Sequence, residues 1–409
     1  MPKPSPFPPG IQSMEPLLLA SRPGVTEKLY GFASDLLAAS GKAYPQLPPP
    51  ILERLATLVQ GMNCYYSNLI EGHRTLPIDI EKALQAAQNK TKPETGYSQE
   101  ELRTLAQAHV STTEWAKTVT LQQMGINNFI LEAHRIFCTA LPEDMLIIEG
   151  TKKTMTAGRY RDIEVQVGEH IPPAAQQVPR FMERFEQVYT PFLQKKMLGQ
   201  SRLAAITHGF IAHHRLAWIH PFPDGNGRIS RIFLDKWLSE CSLPGFSVWS
   251  MSRGFARDRG NTYKSRLHNA DQPRMGDLDG RGNLTEKGLV DFVEYCVQQG
   301  TDQAEFMAGL FRLNAMIENA KLAFALKYKD LKTEHFKIYE RLLIDGQLER
   351  GDASAVINKS SATTRKYFKA LFDYKLISSP SEKGILYPEF PSGILMYLFP
   401  GLYPPSEFI

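Results

Sequence analysis

The sequence predicts a mainly α-helical protein: an N-terminal helical region, a central core and a winged-helix-like unit at the C-terminal end. Three observations lead there. First, 409 residues, at roughly 150 per domain, indicate two or three domains with a core that needs no staples. Second, apolar residues recur three and four apart over most of the chain, which is the helical period. Third, the rhythm changes near residue 333, where three short helical patterns precede two apolar runs separated by a polar turn.

The elements follow in order. Residues 1–24 are proline-rich and read as an irregular arm. Pro45, Pro48, Pro49 and Pro50 mark a second break, because proline fixes φ, lacks an amide donor and pushes its predecessor out of the helical region. Ile51, Leu55, Leu58, Val59, Met62 and Leu69 then mark a helix over 51–70. Further helices are expected at 79–89, 98–118 and 127–138. Within 157–173, Ile163, Val165 and Val167 alternate with Asp162, Glu164 and Gln166 up to Gly168. That period of two predicts a short strand, half of a hairpin. Helical patterns resume at 178–197, 201–218, 226–240, 286–299 and 302–328.

In the last part, helices at 334–344, 352–358 and 361–374 precede Leu376–Ile377, a polar turn over Ser378–Gly384, and Ile385–Tyr387. The third helix carries Arg365, Lys366 and Lys369. These cations could face DNA phosphates, or form the solvated face of a packing or dimerisation module. The expected division is 1–120, 121–300 and 301–409.

Hydrophobic residues make up 43% and charged residues 22%, which excludes a wholly disordered, collagen-like or disulfide-scaffold chain. Lys plus Arg number 47 against 43 Asp plus Glu, a net charge of +4, too small a surplus to name nucleic acid as the partner by itself. Cys64, Cys138, Cys241 and Cys296 form no CxxC pair and read as reduced thiols of a cytoplasmic protein. The first residues, MPKPSPFPPG, offer no apolar segment of the kind a secretory signal needs. No apolar run reaches the ~18 residues of a membrane span. The longest apolar-rich stretch, Leu203–Ile219, is interrupted by His208, His213, His214 and Arg215.

One stretch concentrates chemistry: Ile219-His220-Pro221-Phe222-Pro223-Asp224-Gly225-Asn226-Gly227-Arg228-Ile229-Ser230-Arg231. Gly225 and Gly227 permit positive φ and close backbone approach to a ligand. They stand where a helix begins, and the free N–H groups and dipole of a helix N-terminus make an anion site. Arg228 and Arg231 are three apart and share a helix face; guanidinium forks suit polyphosphate oxygens. Asp224 is a hard oxygen ligand adequate for Mg²⁺. His220 can act as a base near neutral pH. Together these parts describe base-assisted attack on a metal-bound nucleotide phosphate.

HPFPDGNGRISR resembles the signature of the Fic family, HPFx(D/E)GNGRxxR, at every defined position. His213, Leu216 and Ile219 resemble the family's approach helix, and GRYRDIEVQVGEHIPP its flap, the hairpin that pins a target segment beside the site. The resemblance covers roughly 125–300 and implies a helical core with a short β-hairpin flap. It also implies transfer of AMP from ATP to a Tyr, Ser or Thr hydroxyl of a target protein. By that resemblance His220 takes the hydroxyl proton and Asp224 holds Mg²⁺. Gly225, Gly227 and the Asn226 side chain line an anion hole, and Arg228 and Arg231 hold the outer phosphates. Gly227 stands where the phosphate-transferring Doc-type relatives have Lys, which favours AMP transfer.

Far upstream, Ser67-Asn68-Leu69-Ile70-Glu71-Gly72 resembles the family's inhibitory motif, (S/T)xxxE(G/N). The resemblance pairs Glu71 with Arg231, crowding the γ-phosphate so that ATP binds with its α-phosphate misaligned. Glu71 could also position a water for removing AMP from modified targets. A plainer reading keeps Gly72 as the residue after a helix end and Glu71 as a solvated carboxylate. Tyr263-Lys264-Ser265-Arg266-Leu267-His268-Asn269-Ala270-Asp271 resembles an adenine-side segment, with Lys264 in place of a second Tyr. Tyr263 is thus an adenine neighbour or a core aromatic. Val167 and Gly168 would close over the nucleotide. His208, His213 and His214 lack acidic or Cys partners at metal-site spacing and fit helix packing better. Two functions stay open: an autoinhibited AMP transferase, and a DNA-binding regulator acting through 361–374 with the core as nucleotide sensor. A homodimer fits either; a membrane partner fits neither.

Overall fold

The computed structural model describes residues 7–19, 23–44, 46–89, 99–148, 151, 153–194 and 198–407. The start of the proline-rich arm, residues 1–6, and the end of the helix expected at 178–197 lie outside them. The fold is mainly α. In chain order the helices are α1 (Pro23–Ala43), α2 (Pro49–Ile70), α3 (Pro77–Asn89), α4 (Gln99–Lys117), α5 (Leu121–Met124), α6 (Ile126–Thr139), α7 (Val178–Gln194), α8 (Gly199–Ile219) and α9 (Asn226–Glu240). They continue with α10 (Met251–Phe255), α11 (Asn261–Ala270), α12 (Glu286–Leu310), α13 (Leu313–Leu326), α14 (Thr333–Asp345), α15 (Asp352–Ile357), α16 (Ser361–Asp373) and α17 (Ser392–Leu398). Among the described residues no helix is long and apolar enough to cross a membrane.

Three expectations change. The strand expected at 163–167 has no ladder: the segment is extended, and its pairing is a single antiparallel bridge, Val167–His170, closing a turn at Gly168. Ile163 and Val165 are half-buried while Asp162, Glu164 and Gln166 are exposed, so the alternation is real. A ladder needs a partner strand, and here the segment is held by side chains instead. The break expected between 299 and 302 falls inside α12, which runs on to Leu310. α1, concealed between two proline breaks, was not foreseen; it packs along α12 and against α8.

α2 begins with Pro49 and Pro50, tolerated because the first helical amides lack intrahelical partners. It ends in a Schellman motif: Gly72, at φ +86°, donates to Leu69 O at 3.0 Å and His73 donates to Asn68 O at 2.9 Å. α8 is buried on nearly all sides, and a helix buried all round shows little amphipathic period. The C-terminal elements appear in the expected order: three helices, then an antiparallel pair Ile377–Ser378 and Tyr387–Pro388, with an added Leu348–Leu386 bridge. That unit leans on α2. Arg54 Nε lies 3.1 Å from Glu389 Oε1, and the Tyr66 hydroxyl donates to Leu402 O at 2.9 Å.

Candidate active site

The site is built where α8 gives way to α9. α8 stops at His220, which adopts a left-handed conformation (φ 51°) and donates its amide to Leu216 O at 3.1 Å. A non-glycine residue there stores strain of order 1 kcal/mol, so its surroundings must hold it. Arg161 does much of this. Its Nε donates to His220 O at 2.8 Å, its Nη1 to Ile163 O at 3.1 Å, its Nη2 to Pro173 O, and its amide to Pro221 O at 2.9 Å. One buried guanidinium thus ties the extended flap segment to the loop carrying His220.

The loop is closed from inside. Asn226 Oδ1 accepts from the Phe222 amide at 2.9 Å, and its Nδ2 donates to Phe222 O at 2.8 Å. The Asn226 side chain is therefore a staple across the turn, where the sequence placed it in an anion hole. Phe222 is buried and stacks on His134, ring centroids 3.8 Å apart and nearly parallel. Gly225, at φ +81°, starts α9, and its amide donates to Asp224 Oδ1 at 2.6 Å. The first amides of α9 face the site with the positive end of the helix dipole.

Arg228 and Arg231 share a face of α9, but their environments differ. Arg228 is 5% exposed, lies over the Phe137 ring and stands 3.6 Å from Asp224 Oδ2. Its Nε and Nη1 have no hydrogen-bond partner among the described residues. Buried donors are nearly always paired, and leaving them unpaired costs about 1–3 kcal/mol or more when charged. Arg231 is fully engaged: Nε donates to Ser67 Oγ at 3.0 Å, and Nη2 donates to Ser67 O at 2.9 Å and Glu71 Oε1 at 2.7 Å. The predicted meeting of the upstream motif with the second arginine is present in the structure.

α2 and α9 share one more polar rung. Asn63, Ser67 and Glu71 are spaced by four along α2; Asn63 Nδ2 donates to Asp235 Oδ2 at 2.6 Å, one turn beyond Arg231. Burial pushes the Asp235 carboxyl up to about 7, against the Asn63 hydrogen bond. Burial also opposes ionisation of Glu71, yet Arg231, then Arg228 and Lys264, hold its carboxyl below the ordinary value. Gly227 makes this approach possible, since a Cβ there would collide with Glu71 Oε1.

Burial, with His170 and Arg161 nearby, pulls the His220 imidazole down to about 4. At neutral pH the ring is uncharged and able to accept a proton. Asp224 is two-thirds exposed, so its carboxylate oxygens are open to a cation from solvent.

The other candidate residues lie away from this loop. Tyr263 is 2% exposed, stacked on Phe255 at 4.5 Å, with its hydroxyl on His213 Nε2 at 2.8 Å. This is a core position, and the ring offers no open face to adenine. Val167 and Gly168 lie on the exposed flap turn. His213 and His214 are satisfied by Ser230 O, Tyr263, Leu267 O and Asp271, and among the described residues no cluster of three metal-ligating side chains occurs. Sequence reasoning missed Arg161, His134, Lys264 and the Asn63–Asp235 rung. Arg161 carried a signal, an arginine beside an alternating segment, and so did Lys264, a lysine where the resembled segment has Tyr; His134 and the rung had none.

A model of the Fic/DOC family matches residues 127–238. The chain is 27% identical over 184 residues to the protein adenylyltransferase Fic of Nematostella vectensis, covering 44% of this chain and 38% of that protein. It is 34% identical over 97 residues to that of Drosophila erecta, covering 24% and 18%, and 37% identical over 87 residues to that of Drosophila melanogaster, covering 21% and 16%. The match thus spans well under half the length of these curated relatives. Among solved structures, a Fic family protein from Desulfovibrio desulfuricans G20 superposes with TM-score 0.48 at 15% identity, covering 91% of this chain and 98% of that one. Fic-1 of C. elegans, residues 134–508, gives 0.47 at 18% identity, covering 70% and 72%. The family match contains all of HPFPDGNGRISR, from the strained His220 to Arg231, and this chain therefore carries a Fic/DOC family domain.

Proposed function

We propose that the chain transfers AMP from ATP to a Tyr, Ser or Thr hydroxyl of a target protein, and that Glu71 restrains the reaction. Arg228 carries the first half. It is a buried guanidinium with two unpartnered donors, beside a carboxylate and at the first turn of α9. That arrangement suits a polyphosphate and little else of comparable size.

In this reading the neutral His220 ring accepts the target hydroxyl proton. The hydroxyl oxygen bonds to the α-phosphorus, the bond from that phosphorus to the α–β bridging oxygen breaks, and pyrophosphate leaves with the electron pair. Arg228 and the first amides of α9 balance the phosphate charge, a task of positioning and electrostatics. The Asp224 carboxylate, exposed and beside Arg228, is a donor chemically suited to Mg²⁺. When bound, the ion would supply charge neutralisation at the α- and β-phosphates. For the second half, Glu71 occupies the Arg231 guanidinium and abuts Gly227, so an outer phosphate there meets a carboxylate instead of a cation.

The experiment is incubation with ATP labelled at the α-phosphate, Mg²⁺ and host lysate, followed by mass spectrometry of labelled bands. AMP on a hydroxyl side chain is expected. Label arriving only from the γ-phosphate would mean phosphate transfer, and release of AMP from modified protein by water without forward transfer would mean hydrolytic removal; either overturns the proposal.

A second reading has its own observation. On α16, Thr364, Phe368 and Leu371 face inward while Arg365, Lys366 and Lys369 are exposed, the disposition of a helix presenting cations to duplex phosphates. Duplex binding that weakens with salt, and is lost when all three become Ala, supports it; binding indifferent to the three removes it.

A further inference from the structure

We infer that Lys264 is a positioning residue that seats the C-terminal end of α2, and with it Glu71, against the nucleotide site; this rests on the restraint by Glu71 proposed above. Lys264 lies on α11, at the position of the second Tyr in the adenine-side segment that 263–271 resembles. Its Nζ donates to the carbonyl oxygen of Ile70 at 2.6 Å. Ile70 is the last residue of α2 and directly precedes Glu71.

The contact answers a specific need. A helix leaves its final carbonyls without intrahelical partners and its C-terminus carries the negative end of the dipole. In α2 the closing turn supplies amides to Asn68 O and Leu69 O, from His73 and Gly72. The Ile70 carbonyl lies beyond that pattern, and Lys264 reaches it from another helix. The base of that reach is fixed: Tyr263, the preceding residue, is buried and hydrogen-bonded to His213. Ile70 is located from the same side by α11, since a Cβ on Gly260, the residue capping α11, would stand 3.3 Å from Ile70 Cγ2. The ammonium also acts on the Glu71 carboxylate itself. One cation therefore holds both the helix end and the charge it delivers.

The test compares Lys264→Met and Lys264→Arg in the wild-type and Glu71→Gly backgrounds. AMP transfer to the chain's own hydroxyls is read as kcat and KM with α-labelled ATP and Mg²⁺. Lys264→Met should raise kcat about two- to fivefold when Glu71 is present, the scale of a cation at a helix C-terminus. Lys264→Arg should stay near wild type, and Lys264→Met should add nothing to Glu71→Gly. An equal change in both backgrounds, or a rise in KM for ATP in both, would assign Lys264 to the nucleotide and overturn the inference. Hydrogen exchange at the amides of 70–73 provides the second readout: it should quicken in Lys264→Met. Unchanged exchange overturns the seating. If Glu71→Gly itself is not activated, the restraint reading fails, and exchange still decides whether Lys264 holds α2.

Discussion

Replacing Glu71 by Gly should raise AMP transfer on the order of 10- to 100-fold. The magnitude comes from the contact it removes. Glu71 Oε1 accepts from Arg231 Nη2 at 2.7 Å, with the arginine side chain 3% and the carboxylate 28% exposed. A hydrogen bond to a charged group contributes about 1.5–3 kcal/mol, and each ~1.4 kcal/mol is tenfold in population. Removing the carboxylate leaves Arg231 still anchored by Ser67, so the cation keeps its place and gains an open partner site. The assay is the initial rate of label transfer from α-labelled ATP to the chain itself over a range of ATP concentrations, with Glu71→Gly/His220→Ala as a silent control. Glu71→Gln separates charge from volume: it should activate partially, because the amide still fills the space above Gly227. A Glu71→Gly protein no faster than wild type at any ATP concentration would refute the reasoning and leave the Glu71–Arg231 pair a structural contact only.

His220→Ala should lower transfer ~10²–10⁴-fold, the usual share of a general base, while calorimetry finds ATP binding nearly unchanged; retained transfer removes the assignment. Asp224→Ala should weaken Mg²⁺-dependent nucleotide binding and transfer together; activity that survives chelation of magnesium contradicts it. Because His220 titrates at about 4, transfer by Glu71→Gly should hold through pH 5.5 and fall only as pH approaches that value; an acid limb at 6.5 would contradict the burial argument. The sign for stability is the same: the depressed folded-state value means the unfolded chain binds more protons between 6.5 and about 4, so stability is lost as pH falls through that window.

Much of the fold was legible because helices write themselves locally. α2, α4, α6, α8 and α9 fall within a residue or two of the expected spans, α8 as an apolar-rich run and the others with apolar residues three and four apart. The misses are non-local. Period two was read correctly at Ile163–Val167, but whether an alternating segment becomes a strand depends on a partner the segment does not encode. The break expected between 299 and 302 is absent: Gly300 lies within α12, close against Leu36 of α1, a helix concealed between two proline breaks.

The same division runs through the site. The sequence by itself determined its chemistry: His220, Asp224, two glycines and two arginines lie within one turn and the helix it opens, so short covalent distance alone keeps them together. It also determined that Ser67, Glu71 and Gly72 end a helix, because the αL position after a helix end favours glycine. The pairing of Glu71 with Arg231 was implied by the resemblance, but only the tertiary structure shows Ser67 joining it across 164 residues of chain and Arg228 left with unpartnered donors. It likewise turned Asn226 inward as a staple, placed Tyr263 in the core, brought Arg161 to the carbonyls of His220, Ile163 and Pro173, and brought Lys264 to that of Ile70. The physical reason is that a carbonyl at a helix end, or a guanidinium under a phosphate site, needs a partner but does not specify where in the chain that partner lies. Packing of the buried faces selects it.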